Sequence, residues 1–569
     1  MSTGRTLTVI AAVAIVLVGL LYGLDVVGGD SDSAGNESTD TTVAEAPDDA
    51  VVVTFAYSPE KEQLIEPLEA EFNGSGAEVD GRPVFLDATP VSSGAATDGI
   101  ADDTLQPVLW SPASSLWGRL LNFRADDDLV ADDNPSLVRS PLVIAMPRPM
   151  AEALGWPKTE LGWADILDLA RSDEGWARHG HPEWGAFKFG QTNPDFSTSG
   201  LSATAAEYLV AAGKKEGLTL ADVEDPAVRG FVRDIQSSVV HYGDTTLFFA
   251  DQIAERGIGY VSAVAMEEVT VLDYNLRLRD EADPELVAIY PKEGTFFSDN
   301  PLIVLQGDWV DEAERSGAEQ VIAFFEDKVT PKLAAAGFFR PPTRDAKPVS
   351  PIVPANGVDP GEPTSVLSLP EPRVLNEIVK AWRADRKPAR VEVVLDVSGS
   401  MNEEDKLEAA KEGLVGFLKL LQPQDEVALS VFSDAVIEVS RPVRIRGNRN
   451  QLISRVEGLF ADGNTSLYDA TDAASERIAN AASDERINAV VVLSDGQDNA
   501  SSYSIDQLLA RLTQRSGEEG DSVRIFTIAY GDSAADDVLA EIAEAGGGIS
   551  YSGDPENIED VYIQISSFF

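Results

Sequence analysis

The sequence predicts an α/β protein built as two folded blocks, and three observations carry that prediction. Strand-like and helix-like segments alternate over residues 51–340 and again over 388–569, a proline-rich stretch at 341–372 separates the blocks, and an apolar run at 7–24 precedes both. At 569 residues the chain exceeds one ordinary core. Its 43% hydrophobic content is globular rather than disordered. The 96 acidic residues outweigh 44 basic ones, for a formal charge of −52, so the surface repels phosphate backbones and nucleic acid is excluded as a partner. The basic set is 14 Lys and 30 Arg. This lysine-poor, acid-rich bias suits solubility in high salt, and equally an acidic proteome. Absence of cysteine excludes disulfides, thiolate metal sites, a cysteine nucleophile and a lipidated cysteine anchor.

Leu7 to Leu24 is an uncharged stretch of 18 residues, preceded by Arg5 and followed by Asp25, Asp30 and Asp32. It is just long enough to span a bilayer, and its flanking charges place the N-terminus inside and everything downstream outside. A single-pass membrane anchor is expected. A cleaved signal peptide, which would release a secreted protein, is the competing reading, but the run is longer than the usual apolar core and no clear small-x-small site follows. Residues 25–50 are Gly, Ser, Thr and acid, too poor in large apolar groups to offset ordering entropy, and are read as a disordered tether.

The first block opens with VVVTFAYS at Val51, a buried-strand pattern, followed by helical spacing in PEKEQLIEPLEAEF. In TNPDFSTSGLSATAAEYLVAAG, Ser197, Thr198, Ser199 and Gly200 stand directly before a helix, where hydroxyls and free amides could cradle an oxyanion. DATPVSSG adds Ser92 and Ser93, and YSPE adds Ser58. Helix capping accounts for such hydroxyls equally well. Trp110 and Trp117 are candidates to wall a cleft, against the commoner role of tryptophan in core packing. Lys292 and Asn300 are weaker candidates, and His179, His181 and His241 show no metal spacing.

Taken in order, YSPEKE, DATPVSSG, PVLWSPASSLW, SPLVIAMPRPMAEALGWP with LGWADILDLA, FGQTNPDFSTSGL and IYPKEGTFFSDNPLIVL resemble bacterial extracellular solute-binding proteins of the type 2 periplasmic binding fold. The resemblance implies two α/β lobes over 51–340, joined by crossing strands, with a small solute held in the cleft between them.

Nine prolines between Pro341 and Pro372 remove backbone donors and favour extended geometry, so this stretch reads as a semi-rigid connector. Helix-like LNEIVKAWRAD (375–385) leads into the second block. There VEVVLD (391–396), EVALSVF, VIEVSRPV, NAVVVLSD and VRIFTIAY read as strands, and KLEAAKEGLVGFLKLL (406–421) as an amphipathic helix, the pattern of a mainly parallel sheet covered on both faces. In such sheets ligands bind beyond the carboxyl ends of the strands. VLDVSGSM puts Asp396 at one such end with Ser398 and Ser400 in the next loop; NAVVVLSDGQDN puts Asp495 at another; GNTSLYDA offers Thr465 at the opening of a helix. Carboxylate and hydroxyl oxygens without histidine or cysteine form a hard-donor set that selects Mg2+, Ca2+ or Mn2+. Two carboxylates would just offset a divalent cation and leave it able to accept a further anionic oxygen.

These three segments resemble the von Willebrand factor type A domain with its metal-ion-dependent adhesion site, over residues 388–569. The resemblance implies a Rossmann-like doubly wound fold and a divalent cation, Mg2+ foremost, held by Asp396, Ser398, Ser400, Thr465 and Asp495, with one position left for a carboxylate of a protein or other acidic ligand. Helix capping explains one serine but not two with Asp396, and a turn in SDGQDN is the bland account of Asp495. A phosphotransferase with an Asp-x-Asp strand end is disfavoured because Ser398 stands where the acid–base carboxyl belongs. The chain is therefore expected to be a membrane-anchored extracytoplasmic binding protein rather than an enzyme. The alternative is a transport-associated solute receptor whose second domain serves docking or assembly.

Overall fold

A computed structural model describes residues 46–343, 345–515, 523–531 and 534–569. The expected anchor at 7–24, and the tether at 25–50 but for its last residues, lie outside the described residues; among those described, no helix is long and apolar enough to cross a membrane.

The first lobe is built on β1 (Val51–Tyr57), β2 (Glu78–Val79), β3 (Arg82–Pro90) and β4 (Leu109–Ser111), with β1 parallel to both β3 and β4. The β-branched VVVTFAY run fits its central place, where strands pair along both of its edges and most of its side chains are buried. The second lobe is built on β5 (Ser140–Pro147), β6 (Phe189–Gln191), β7 (Ala263–Glu267), β8 (Leu286–Ile289) and β9 (Phe297–Ser298); every residue of β5 is buried. The chain then returns as β10 (Ile303–Val304), antiparallel to β4. Two crossings therefore join the lobes side by side: the Leu137 amide donates to the Asn300 carbonyl at 2.9 Å, and the Leu302 amide to Pro135 at 2.8 Å. This is the two-lobed arrangement with crossing strands that the sequence predicts.

The proline-rich stretch lies along the second lobe. Ala288 and Leu367 amides bond Gly357 and Thr295 carbonyls across the joint, each at 2.8 Å, and Ile352 and Val358 are buried in the second-lobe cluster. With so few donors available it is held by side chains as much as by hydrogen bonds. It ends in a connector helix, Pro372–Asp385, whose first-turn proline costs no hydrogen bond there. Leu375, Ile378, Val379 and Trp382, at helical spacing, bury one stripe of it.

The second block is one six-stranded sheet of β11 (Ala389–Asp396), β12 (Glu426–Phe432), β13 (Val436–Arg444), β14 (Ile487–Ser494), β15 (Val523–Tyr530) and β16 (Gly547–Gly553), in the order β13-β12-β11-β14-β15-β16. Only β13 runs antiparallel. From β11 the chain steps one way to β12 and later the other way to β14, which opens a crevice beyond the carboxyl ends of β11 and β14.

The two blocks share a continuous apolar core. Trp382 is 1% exposed, donates to Gln236 Oε1 at 3.1 Å and meets Tyr242 edge-on. Asp385 accepts from Arg229 at 2.6 Å and Arg233 at 2.8 Å. Arg386 pairs with buried Asp425 at 2.7 Å. At the chain's end, Phe568 packs against His241, Phe248 and Phe526.

Candidate functional site

The sheet crevice of the second block gathers the five residues picked out by motif. β11 ends on Asp396, whose Oδ1 accepts the Ser398 amide at 2.8 Å and whose Oδ2 accepts the Ser494 hydroxyl at 2.6 Å. Ser398 and Ser400 hydroxyl oxygens are 3.1 Å apart, and Ser400 donates to Asp495 Oδ1 at 2.7 Å. The Gly399 amide bonds the Gly463 carbonyl at 3.0 Å, which draws the serine loop onto the loop bearing Thr465. A methyl placed on Gly496 would lie 4.0 Å from both Ser400 Oγ and Thr465 Oγ1, so the two hydroxyls face one small space. Asp396 and Asp495 are fully buried, and burial, with a smaller push from Asp495, raises the Asp396 carboxyl to about 6.

Sequence reasoning took Lys406 only as the start of a helix. The structure buries it at 4% exposure with Nζ 3.1 Å from Asp495 Oδ2. Two carboxylates, four hydroxyls counting that of Ser494, and one ammonium thus share the crevice. Among the described residues no three His, Cys, Asp or Glu side chains gather as a ligand group. The hydroxyls of Ser398, Ser400 and Thr465 complete what two carboxylates begin, and this hard-oxygen set fits a Mg2+-like ion better than a soft one.

In the first block a cavity of about 30 Å³ opens between the lobes, lined by Ser58, Ser92, Ser93, Ser197, Thr198 and Ser199 from the predicted set. That volume holds about two waters, so the lobes stand close together here. Trp110 is absent from this lining: it is fully buried within β4, where its side chain meets the first-lobe core. Trp117 is buried too, but its indole donates to Thr198 Oγ1 at 2.7 Å and so ties the lobes beside the cavity. The Gly94 amide adds a second tie, to the Phe196 carbonyl at 2.9 Å. Capping and lining coexist, since Ser92 caps the Ser93–Ala101 helix while facing the cavity. Lys292 pairs with Asp165 instead, and His241 is sealed in an aromatic cluster.

Sequence reasoning missed the acidic side of the cavity, Glu60, Asp244 and Glu267, together with Thr245 and Thr246. Thr245 caps the Thr246–Arg256 helix, so YGDTTLFF carries the same hydroxyl-before-helix signal as DFSTSGL. Glu267 ends the buried strand AVAME, and strand ends are where such sites form. It is 5% exposed, accepts from Ser298 at 3.2 Å, and burial, with Glu60 adding its charge, pushes its carboxyl up to about 7. Asn300 helps hold another buried group. Lys61, fully enclosed, donates to Asn300 Oδ1 at 3.1 Å and to the Ser111 carbonyl at 2.6 Å, and desolvation lowers its ammonium to about 7.

The profile of the bacterial extracellular solute-binding protein family matches residues 53–336, and that of the von Willebrand factor type A domain matches residues 391–564. Among solved structures, a von Willebrand factor type A protein from Catenulispora acidiphila is 21% identical over 32% of this chain, with a TM-score of 0.29; the match spans 42% of that protein. A periplasmic thiamin binding protein is 10% identical over 59% of this chain and 96% of its own, with a TM-score of 0.42. The periplasmic binding protein AfuA from Actinobacillus pleuropneumoniae, solved with fructose-6-phosphate, is 12% identical over 59% of this chain and 99% of its own, with a TM-score of 0.41. No curated protein matches the chain. The chain therefore joins a bacterial extracellular solute-binding domain at residues 53–336 to a von Willebrand factor type A domain at residues 391–564.

Proposed function

We propose that this is an extracytoplasmic binding protein, held to the membrane by residues 7–24, whose second domain grips a protein or other acidic ligand through a divalent cation while its first domain holds a small polar solute. The domain pair supports the coarser part, an extracytoplasmic binding or adhesion role. The observation that carries the finer part is the convergence of Ser398, Ser400, Thr465, Asp396 and Asp495 on one crevice.

Asp396 and Asp495 would hold the cation together with the three hydroxyls, and the cation would supply a positive centre for a partner's carboxylate. The chain's own residues prepare that centre. Ser494 and the Ser398 amide orient Asp396, and Lys406 cancels one of the two carboxylate charges. With a divalent ion added, the site carries net positive charge on a surface of net charge −52, so it would attract an anionic group that the rest of the protein repels. No nucleophile with a positioned base is needed for this, and the proposal is of binding, not catalysis.

A magnesium-dependent pull-down from the native cell envelope, with wild type beside Asp396→Ala, tests the reading. Partners retrieved only by wild type, and lost in chelator, support it; identical partners from both sink it. The transport-associated alternative, in which the second domain only docks, is favoured by the preformed cleft at 53–336. Saturable thermal stabilisation by one small solute, without any metal-dependent partner, would select it.

A further inference from the structure

We infer that the connector helix Pro372–Asp385 is a clasp across the solute cleft, and that Arg383 on it positions the two lobes in their closed arrangement. The helix sits where it can do this. It packs against the Ser115–Ala125 helix of the first lobe and, on its other side, against the Thr198–Ala211 and Pro226–Ser237 helices of the second.

Arg383 forms a two-pronged pair with Asp195, its Nε and a terminal nitrogen 2.9 and 2.7 Å from the two carboxylate oxygens. Asp195 belongs to the second-lobe loop whose next residues, Phe196 to Ser199, line the cavity. Across the joint stands Asp98 of the first lobe, paired with Arg124 of its own lobe, where Asp195 repels it and Arg383 adds a weaker attraction. Arg124 and Arg383 together therefore offset the two carboxylates that closure of the lobes brings together. Swinging the lobes apart would require the helix to part either from the Ser115–Ala125 helix or from Asp195.

The second domain is tied to the same loops. Asn193 Nδ2 donates to the Ser567 carbonyl at 3.1 Å, and the backbone of Tyr242, two residues before cavity-lining Asp244, meets Phe568. Arg386 and Lys387, directly after the connector helix, are anchored to Asp425 and to the Val239 carbonyl. Opening the cleft consequently displaces the von Willebrand type A domain relative to one lobe, and the two domains report on each other through Arg383. The inference rests on the cleft reading of the first domain, but its test requires no solute, so the two can fail separately.

The chain lacks cysteine, so spin labels can be placed singly on the full-length protein. Label pairs at Glu319→Cys with Ala164→Cys, and at Glu319→Cys with Gln451→Cys, read lobe-to-lobe and lobe-to-domain distances from exposed positions. Arg383→Ala is expected to add a population longer by more than about 2 Å on both pairs, and Arg383→Lys to restore most of the closed population. Arg233→Ala, which removes a helix-to-second-lobe pair away from the cavity-lining loop, controls for general loss of packing, and thermal unfolding is recorded for every variant. A single unchanged distance in Arg383→Ala, or equal opening by Arg233→Ala, overturns the inference. So does a lobe-to-lobe change without movement of the second domain.

Discussion

Replacing Glu267 with Gln tests the electrostatics of the cleft directly. Its carboxyl stands at about 7 against an ordinary 4.5, because burial, and then the charge of Glu60, disfavour ionisation. The native state thus binds this proton more tightly than the unfolded chain does. The cost is absent below about pH 4.5, grows as the unfolded chain releases its proton first, and is complete above about pH 7. At 1.36 kcal/mol per decade of proton affinity, the ionised carboxylate costs the fold about 3 kcal/mol. Gln keeps the shape and the acceptor for Ser298 but carries no charge. Urea unfolding, followed by fluorescence of the cleft-side tryptophans at pH 4.5 and pH 8, reads the effect. Glu267→Gln should equal wild type at the lower pH and exceed it by about 3 kcal/mol at the higher. Equal stability at both would mean that the carboxylate is stabilised in place, and the cavity's acidic wall would need another account.

Three other expectations follow from packing. A methyl on Gly94 would stand 2.1 Å from the Asp195 carbonyl, so Gly94→Ala should wedge the lobes open, visible as a larger radius in small-angle scattering. Asp385→Asn weakens two pairs to arginines that are 32% and 56% exposed, so a loss of about 2 kcal/mol, discounted for solvent screening, is expected in urea unfolding of the domain joint. Removing Phe568 and Phe569, which are buried, should expose His241 and Phe248 and speed hydrogen exchange in residues 241–248.

The crevice of the second domain was legible because each ligand candidate follows a strand or opens a helix. The position of Asp396 after VEVVL, and of Asp495 after NAVVVLS, is set by strand ends that a short β-branched run marks clearly. Lys406 was not legible, since a lysine opening KLEAAKEG has the pattern of a solvated helix start; only the fold shows it turned inward to Asp495. In the first domain, hydroxyls before helices pointed to the cleft, whereas Trp110 misled. A strand buried on both faces gives no alternation by which to tell which side a tryptophan takes. Glu267 and Lys61 were missed for a related reason. Ionisable residues are rarely enclosed, so sequence alone assigns them to the surface, and Lys61 is enclosed only once Asn300, 239 positions away, has met it. The proline-rich connector showed as a boundary, but proline content does not reveal which lobe it will lie along.

The central claim is that five oxygen-bearing side chains form a cation site in the second domain. Calorimetric titration of Mg2+ into the chelator-stripped full-length chain, repeated with Asp396→Ala, tests it most directly. Saturable one-site binding by wild type that vanishes in Asp396→Ala, with both proteins folded by circular dichroism, is the predicted result. No binding by wild type, or the same isotherm from both, would contradict it.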